Sequence, residues 1–232
     1  MQILRDRREA GRLLASQLRR YANRPDVLVL GLPRGGVPVA YEVATDLDVP
    51  LDVFLVRKLG FPGHEEFAIG ALASGGLRVL DLPIIHSYGI PDREISRLIE
   101  REQAELERRE QAYRGGRPPP DVAGRTVILV DDGLATGSSM RAAALALKQA
   151  GPARIVIAVP VAPRETCAAL RSVADETVCV LTPEPFGGVG RWYADFEQTS
   201  DAEVQDLLRR ARARSLQAAD RRASPAREAE AT

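Results

Sequence analysis

Two adjacent carboxylates, Asp131 and Asp132, follow four aliphatic residues and precede a run of small residues in "VILVDDGLATGSS" (127–139). Read as chemistry, the stretch has two halves. A loop of glycine, threonine and serine turning into a helix offers free backbone N–H groups and close approach. Its three hydroxyls, on Thr136, Ser138 and Ser139, add to what a phosphate monoester would find there. Carboxylates repel that phosphate, so Asp131 and Asp132 must serve something else. They accept hydrogen bonds from vicinal hydroxyls, as on a ribose, or take part in a magnesium site. Phosphate and diol side by side describe a ribose 5-phosphate.

Other uses of such a strand are weaker. A Walker B strand also ends in acidic residues, but it requires "GxxxxGK[ST]" upstream, which the chain does not contain. A phosphoacceptor receiver domain needs a lysine after a later strand, and no lysine follows Lys148. A pair of solvated aspartates before a turn is the plain alternative, and thirteen residues of the right types in order weigh against it.

The elements that must hold this motif alternate along the chain. "DVLVLGL" (26–32) reads as a buried strand entering "PRGGVPVA" and a helix to about Leu47, and "LDVFLV" (51–56) as a second strand. Strands at 126–131, 154–161 and 176–181 alternate with helices at 138–150 and 164–173. The pattern predicts an α/β fold with a mainly parallel sheet flanked by helices, and such sheets bind ligands beyond the carboxyl ends of their strands. Before the core, residues 8–21 form an amphipathic helix. Residues 57–76 read as a polar, glycine-containing loop, followed by a short strand near Leu77–Leu80. Residues 91–113 are strongly helical, with a proline at the start, charges at i,i+4 spacing and Gly115-Gly116 beyond the end. A short helix is expected over 201–214 and a frayed tail from Ser215. One domain over 1–214 is therefore expected, with its core at about 25–182.

Hydrophobic residues make up 45% of the chain, enough for a globular core, and formal net charge is zero, which gives no reason to expect nucleic acid as partner. No apolar run approaches a membrane span and the first residues lack a signal-peptide core, so a cytoplasmic protein is expected. Cys167 and Cys179 read as buried small hydrophobes without a redox or metal role.

The central motif resembles the phosphoribosyl-diphosphate signature of the type I phosphoribosyltransferases. "LRDRREAG", "VLGLPRGGVPVA", "LDVFLVRKLGFPG", "EFAIGA" and "DFEQTSDAEV" are similar, in order, to a bacterial subgroup of uncharacterised members. The resemblance implies that Asp131 and Asp132 hold the ribose hydroxyls and that Ala135, Thr136, Gly137, Ser138 and Ser139 wrap the 5-phosphate. It implies that Arg34, Gly35 and Gly36 bind pyrophosphate, with a strained or cis peptide nearby. Arg57 and Lys58 are placed where the family's mobile catalytic loop begins, as catalytic cations for the departing pyrophosphate. His64 and Glu66 fall in that loop without an assigned role.

The implied activity is transfer of a phosphoribosyl group from phosphoribosyl diphosphate, with Mg2+ as cofactor, to a small-molecule nitrogen acceptor such as a nucleobase. The alternative is a regulatory protein that binds phosphoribosyl diphosphate without transferring it. A homodimer is implied by analogy. The acceptor would lie under a hood built from residues 1–24 and 183–214, where Phe186, Trp192, Tyr193 and Phe196 either stack a flat base or form a small core. The 6-oxopurine enzymes carry an aspartate where this chain has Ala135, which argues against a hypoxanthine or guanine acceptor.

Overall fold

The computed structural model describes residues 3–61 and 64–229, with side chains described except at 65–67 and from 219 onward. Five strands form one parallel sheet: β1 (Val27–Gly31), β2 (Leu51–Val53), β6 (Thr126–Val130), β7 (Arg154–Val161) and β8 (Glu176–Leu181), in the order β2-β1-β6-β7-β8. Every residue of β1 and β6 is buried, as expected of parallel strands covered on both faces. Alternate side chains feed two cores. Val27, Val29, Ile128 and Val130 pack on α1 (Arg7–Gln17) and α2 (Gly36–Leu47). Leu28, Leu30, Val127 and Leu129 pack on α5 (Ser138–Lys148) and α6 (Arg164–Leu170).

The strand order reverses direction between β1 and β6. From β1 the chain moves outward to β2; from β6 it moves the other way to β7. At such a switch point the two following loops diverge and leave a crevice. The register is exact to the edge, Gly31 pairing Val130, and the Leu32 N–H donates to the Val130 carbonyl at 2.9 Å. Residues 32–36 and 131–137 therefore leave the sheet side by side.

A second, antiparallel sheet departs from the sequence expectation. Residues 57–76, read as a loop, are largely β3 (Val56–Phe61) and β4 (His64–Ala73), joined by β5 (Leu77–Leu80). Glycines, charges and a register irregularity between Leu59 and Gly60 masked the strand pattern that buries Leu59, Ile69 and Leu72. Two helices follow, α3 (Leu82–Ser87) and α4 (Asp92–Arg114), the latter matching the expected insert. Acidic Asp92 and Glu94 complement the start of α4, and Gly115 ends it at φ +60°. Arg114, 3% exposed, ties α4 to the parallel sheet through Asp52 (3.2 Å) and the Val53 carbonyl (2.6 Å).

Two further expectations need correction. The last helix, α7, does not stop near residue 214 but spans Asp201–Ala229, consistent with a run of alanine and arginine, both strong helix formers. Cys167 and Cys179 form a disulfide joining α6 to β8. The turn between these elements folds the helix back so that both thiols meet at one core face, which spacing alone could not show. Among the described residues, no helix is long and apolar enough to cross a membrane.

Candidate functional site

At the switch point, β6 delivers Asp131 and Asp132 to the sheet edge while β1 delivers the Pro33–Gly36 turn directly against them. The contact admits no side chain. A Cβ on Gly35 would lie 2.0 Å from Asp132 Oδ2, and one on Gly36 would lie 2.8 Å from the Asp131 Cα. Glycine at both positions is thus a consequence of loop-to-loop packing. The Pro33–Arg34 peptide is cis, in the place where the family resemblance pointed to one.

Both aspartates carry the marks of crowding. Burial pushes the Asp131 carboxyl well above the usual carboxylate range, and the neighbouring Asp132 charge pushes it further. Asp132 is raised by burial as well, against the opposing pull of Arg7. Arg7 donates from Nε to Asp132 Oδ2 at 2.8 Å and from Nη1 to the Glu197 carbonyl at 2.6 Å, with its guanidinium 4.1 Å above the Phe196 ring. The Tyr193 hydroxyl donates to the Asp132 carbonyl at 2.6 Å. The sequence reading included Arg7 in a matching motif but gave it no role; the arginine density of α1 hid which one turns inward.

The loop that follows is held open to solvent. Gly137, at φ +71°, precedes α5, and a Cβ there would meet Thr166 Cγ2 at 2.8 Å. The Thr166 hydroxyl donates to the Ala135 carbonyl at 2.8 Å, anchoring the loop from α6. Ala135, Thr136, Ser138 and Ser139 are exposed, with the Thr136 and Ser138 hydroxyls 3.1 Å apart. These hydroxyls and the first turn of α5 can meet an anion.

Arg57 and Lys58 lie within β3 and not at the start of a loop. Strand geometry sends them to opposite faces of β3. Arg57 shares its face with Leu59 and is bound by Glu102 of α4, from Nε at 2.8 Å and Nη2 at 2.5 Å. Lys58 shares the other face with Val56, which packs toward α5. Arg57 nevertheless lines one cleft with Pro33, Asp131 and Ser139. Arg34 points elsewhere, toward α7, with Nη1 3.8 Å from Asp201 Oδ1. His64 is exposed at the start of β4, its ring 6.1 Å from that of Phe61, and the side chain of Glu66 lies outside the described residues.

Of the two readings of the aromatic segment, the structure supports the small core. Trp192 and Tyr193 are 4% and 6% exposed and pack with Leu4, Ala10 and Val161, which ties the N-terminal segment to residues 189–193 and β7. Phe186 packs partly against this cluster and its carbonyl accepts from Trp192 Nε1 at 2.9 Å. Trp192 and Tyr193 thus support the hood from within, and Phe196, beneath Arg7, is the exposed ring.

Among the described residues no group of three or more His, Cys, Asp and Glu side chains could hold a metal ion. The two carboxylates present suit a magnesium ion that keeps waters and takes its remaining ligands from substrate phosphates.

A family model described as "Phosphoribosyl transferase domain" matches residues 2–190. A Mycobacterium tuberculosis protein, named provisionally as a phosphoribosyl transferase, is 43% identical over 211 residues. That match covers 91% of this chain and 47% of the relative, so the chain spans about half the length of that relative. The bifunctional protein PyrR of a Roseiflexus species is 31% identical over 164 residues, covering 66% of this chain and 65% of the relative. A crystal structure of a Thermus thermophilus protein superposes with a TM-score of 0.79 at 45% identity, covering 90% of this chain and 98% of that one.

Proposed function

The chain belongs to the phosphoribosyl transferase domain family, and from that premise we propose that it transfers the 5-phosphoribosyl group of phosphoribosyl diphosphate to a nitrogen nucleophile. The observation that carries the reading is the β1–β6 register, which sets a glycine-backed turn bearing Arg34 against paired carboxylates and a hydroxyl-lined helix start. Each part matches one part of that substrate. Asp131 and Asp132 accept from the ribose hydroxyls; the Ala135–Ser139 loop takes the 5-phosphate; Arg34 and the N–H groups of Gly35 and Gly36 take the diphosphate.

In the reaction, the bond from ribose C1 to the diphosphate oxygen breaks, its electron pair leaves with pyrophosphate, and a nitrogen lone pair forms the new bond to C1. The nitrogen's proton passes to solvent. The ribose carbon gains positive character as the bond breaks, and two carboxylates at the same edge favour that charge while Arg57 favours the departing anion. Asp131 and Asp132 would help hold a magnesium ion, which would supply positive charge for the leaving group. Arg7, bound to Asp132, keeps one carboxylate oriented and must share it with the diol. The acceptor would enter from the hood side, past Phe186 and Phe196, and a flat heterocyclic base is the class proposed.

One observation favours the second reading, a protein that binds phosphoribosyl diphosphate without transferring it: Asp132 and Arg57 are both already engaged in ion pairs. Calorimetric titration of phosphoribosyl diphosphate with magnesium into the full chain tests the shared premise, with micromolar binding expected. A pyrophosphate-release screen over nucleobases then separates the two. Release that depends on an acceptor supports transfer; binding without release for any base supports the regulatory reading. Absence of binding defeats both.

A further inference from the structure

The helical insert has so far been only an element of packing. Its inner face, however, reaches the crevice. Two neighbouring clefts open beside the Pro33–Gly36 turn, one of about 150 Å³ and one of about 380 Å³. The smaller is lined by Arg57, Asp131 and Ser139, the larger by Arg34, Tyr113 and Asp201. Both share just two residues, Pro33 and Arg109 of α4. Arg109 thus stands at the junction between the proposed ribose-phosphate edge and the guanidinium of Arg34.

The donors there are largely unspent. Arg109 gives its Nε to Glu105 at 2.7 Å, one turn back on α4, and its two terminal amino groups make no hydrogen bond among the described residues. Among the described residues Arg34 has the 3.8 Å approach to Asp201, too long for a hydrogen bond. Asp201 instead accepts from the Tyr113 hydroxyl at 2.5 Å. Arg57 spends Nε and Nη2 on Glu102 and retains Nη1. Three guanidiniums therefore line the two clefts on either side of Pro33, Arg57 in the smaller, Arg34 in the larger and Arg109 in both, with donors to spare. Planar forks of this kind bind phosphate oxygens in pairs.

We infer that Arg109 binds the diphosphate of the substrate, closing from the insert the site that Arg34, Gly35 and Gly36 form from the sheet, with Glu105 as the counter-ion that orients it. The inference rests on the phosphoribosyl-diphosphate reading above. It gives the insert a role: α4 carries a diphosphate ligand on a rigid helix anchored by buried Arg114, and fixes Arg57 through Glu102 on the same face. Glu105 stays ionised throughout the working range, since its hydrogen bonds to Arg108 and Arg109 pull its carboxyl down to about 2. It competes with the anion for Arg109, so its removal should tighten binding.

The test uses the full chain with two probes, inorganic pyrophosphate and ribose 5-phosphate, each titrated calorimetrically with magnesium present. Arg109→Ala should weaken pyrophosphate by about tenfold or more while leaving ribose 5-phosphate within about twofold, and Arg109→Lys should recover part of the loss. Glu105→Gln should tighten pyrophosphate, and the gain should vanish in the Glu105→Gln/Arg109→Ala double variant. Unchanged pyrophosphate binding in Arg109→Ala overturns the inference and leaves the ribose-phosphate reading standing. Equal losses for both probes also overturn it, since they would report a structural role. If the wild type binds ribose 5-phosphate and pyrophosphate not at all, the inference fails alone; if it binds neither, the substrate reading fails with it.

Discussion

The two sides of the crevice treat charge in opposite ways. At the parallel-sheet edge, Asp131 and Asp132 are forced together under a glycine turn, and Arg7 forms an ion pair with Asp132. On the antiparallel sheet and insert, cations are paired with carboxylates: Arg57 with Glu102, Arg109 and Arg108 with Glu105, and behind them Arg114 with Asp52 and Glu110. Burial without enough counter-charge raises a carboxyl, as at Asp131; exposure beside two guanidiniums lowers one, as at Glu105. One side is costly to fold and suited to a ligand that supplies missing hydrogen bonds. The other is matched in charge and still keeps guanidinium donors that an anion can use. Removing a charge should therefore stabilise the first region and destabilise the second.

The sharpest break in that contrast comes from the aspartates. An Asp131→Asn/Asp132→Asn variant should lose phosphoribosyl diphosphate by at least about a hundredfold, since two charge-assisted acceptors disappear. The single Asp131→Asn change should hold or raise the melting temperature, because it removes one of two crowded like charges and keeps the Arg7–Asp132 pair. A lower melting temperature for that single variant would mean the carboxylate supports the fold, and the contrast would fail.

On the other side, Arg57→Ala leaves Glu102, 7% exposed, with only Arg101 as partner. The expected loss is about 2 kcal/mol, below the roughly 3–5 kcal/mol of a fully buried pair because Arg57 is itself 33% exposed. Replacing both partners, Arg57→Ala with Glu102→Leu, should recover most of it in chemical denaturation. Between the two regions lies Gly35. A methyl group there displaces the Asp132 carboxylate from Arg7, and Gly35→Ala should cost about 1 to 2 kcal/mol by overpacking. An unchanged denaturation midpoint would show that the loops are looser than their contact implies.

The same division governed what the sequence disclosed. Residues 127–139 were legible because strand, paired carboxylates and phosphate-type loop follow one another in the chain, and because buried parallel strands are continuous apolar runs. The Pro33–Gly36 turn was legible for the same reason, although only the register shows that Gly35 has no room for a side chain. The appended sheet was not legible. Its strands are dilute in apolar residues, and the charges of α4 looked like a solvated face until Glu102, Arg109 and Arg114 turned out to point inward. Ion pairs across 45 and 62 residues, Arg57–Glu102 and Asp52–Arg114, leave no local signature. The disulfide between Cys167 and Cys179 escaped for a related reason, since a helix and a strand give no hint of which faces meet.

The smallest expected effect is the most specific to the comparison. An acid whose folded-state pKa is raised binds more protons folded than unfolded, so its contribution falls as pH climbs from the ordinary carboxylate range through the folded value. Asp131 is such a group, raised first by burial and then by Asp132. Lowered carboxyls elsewhere, Glu105 and Glu176 among them, contribute with the opposite sign, so the wild-type profile alone decides nothing. The informative quantity is the difference between wild type and Asp131→Asn. From about pH 4 toward neutrality the variant should gain stability relative to the wild type, steadily until Asp131 has ionised in the folded protein. Glu105→Gln should show the reverse, losing ground to the wild type as pH rises from the acid end. Two variants of one charge each, moving apart along the same pH axis, would establish that the crevice has a strained wall and a satisfied one. Parallel profiles would mean that solvent reaches both carboxyls alike, and that the crowding at the β1–β6 switch point does not govern how this edge meets its ligand.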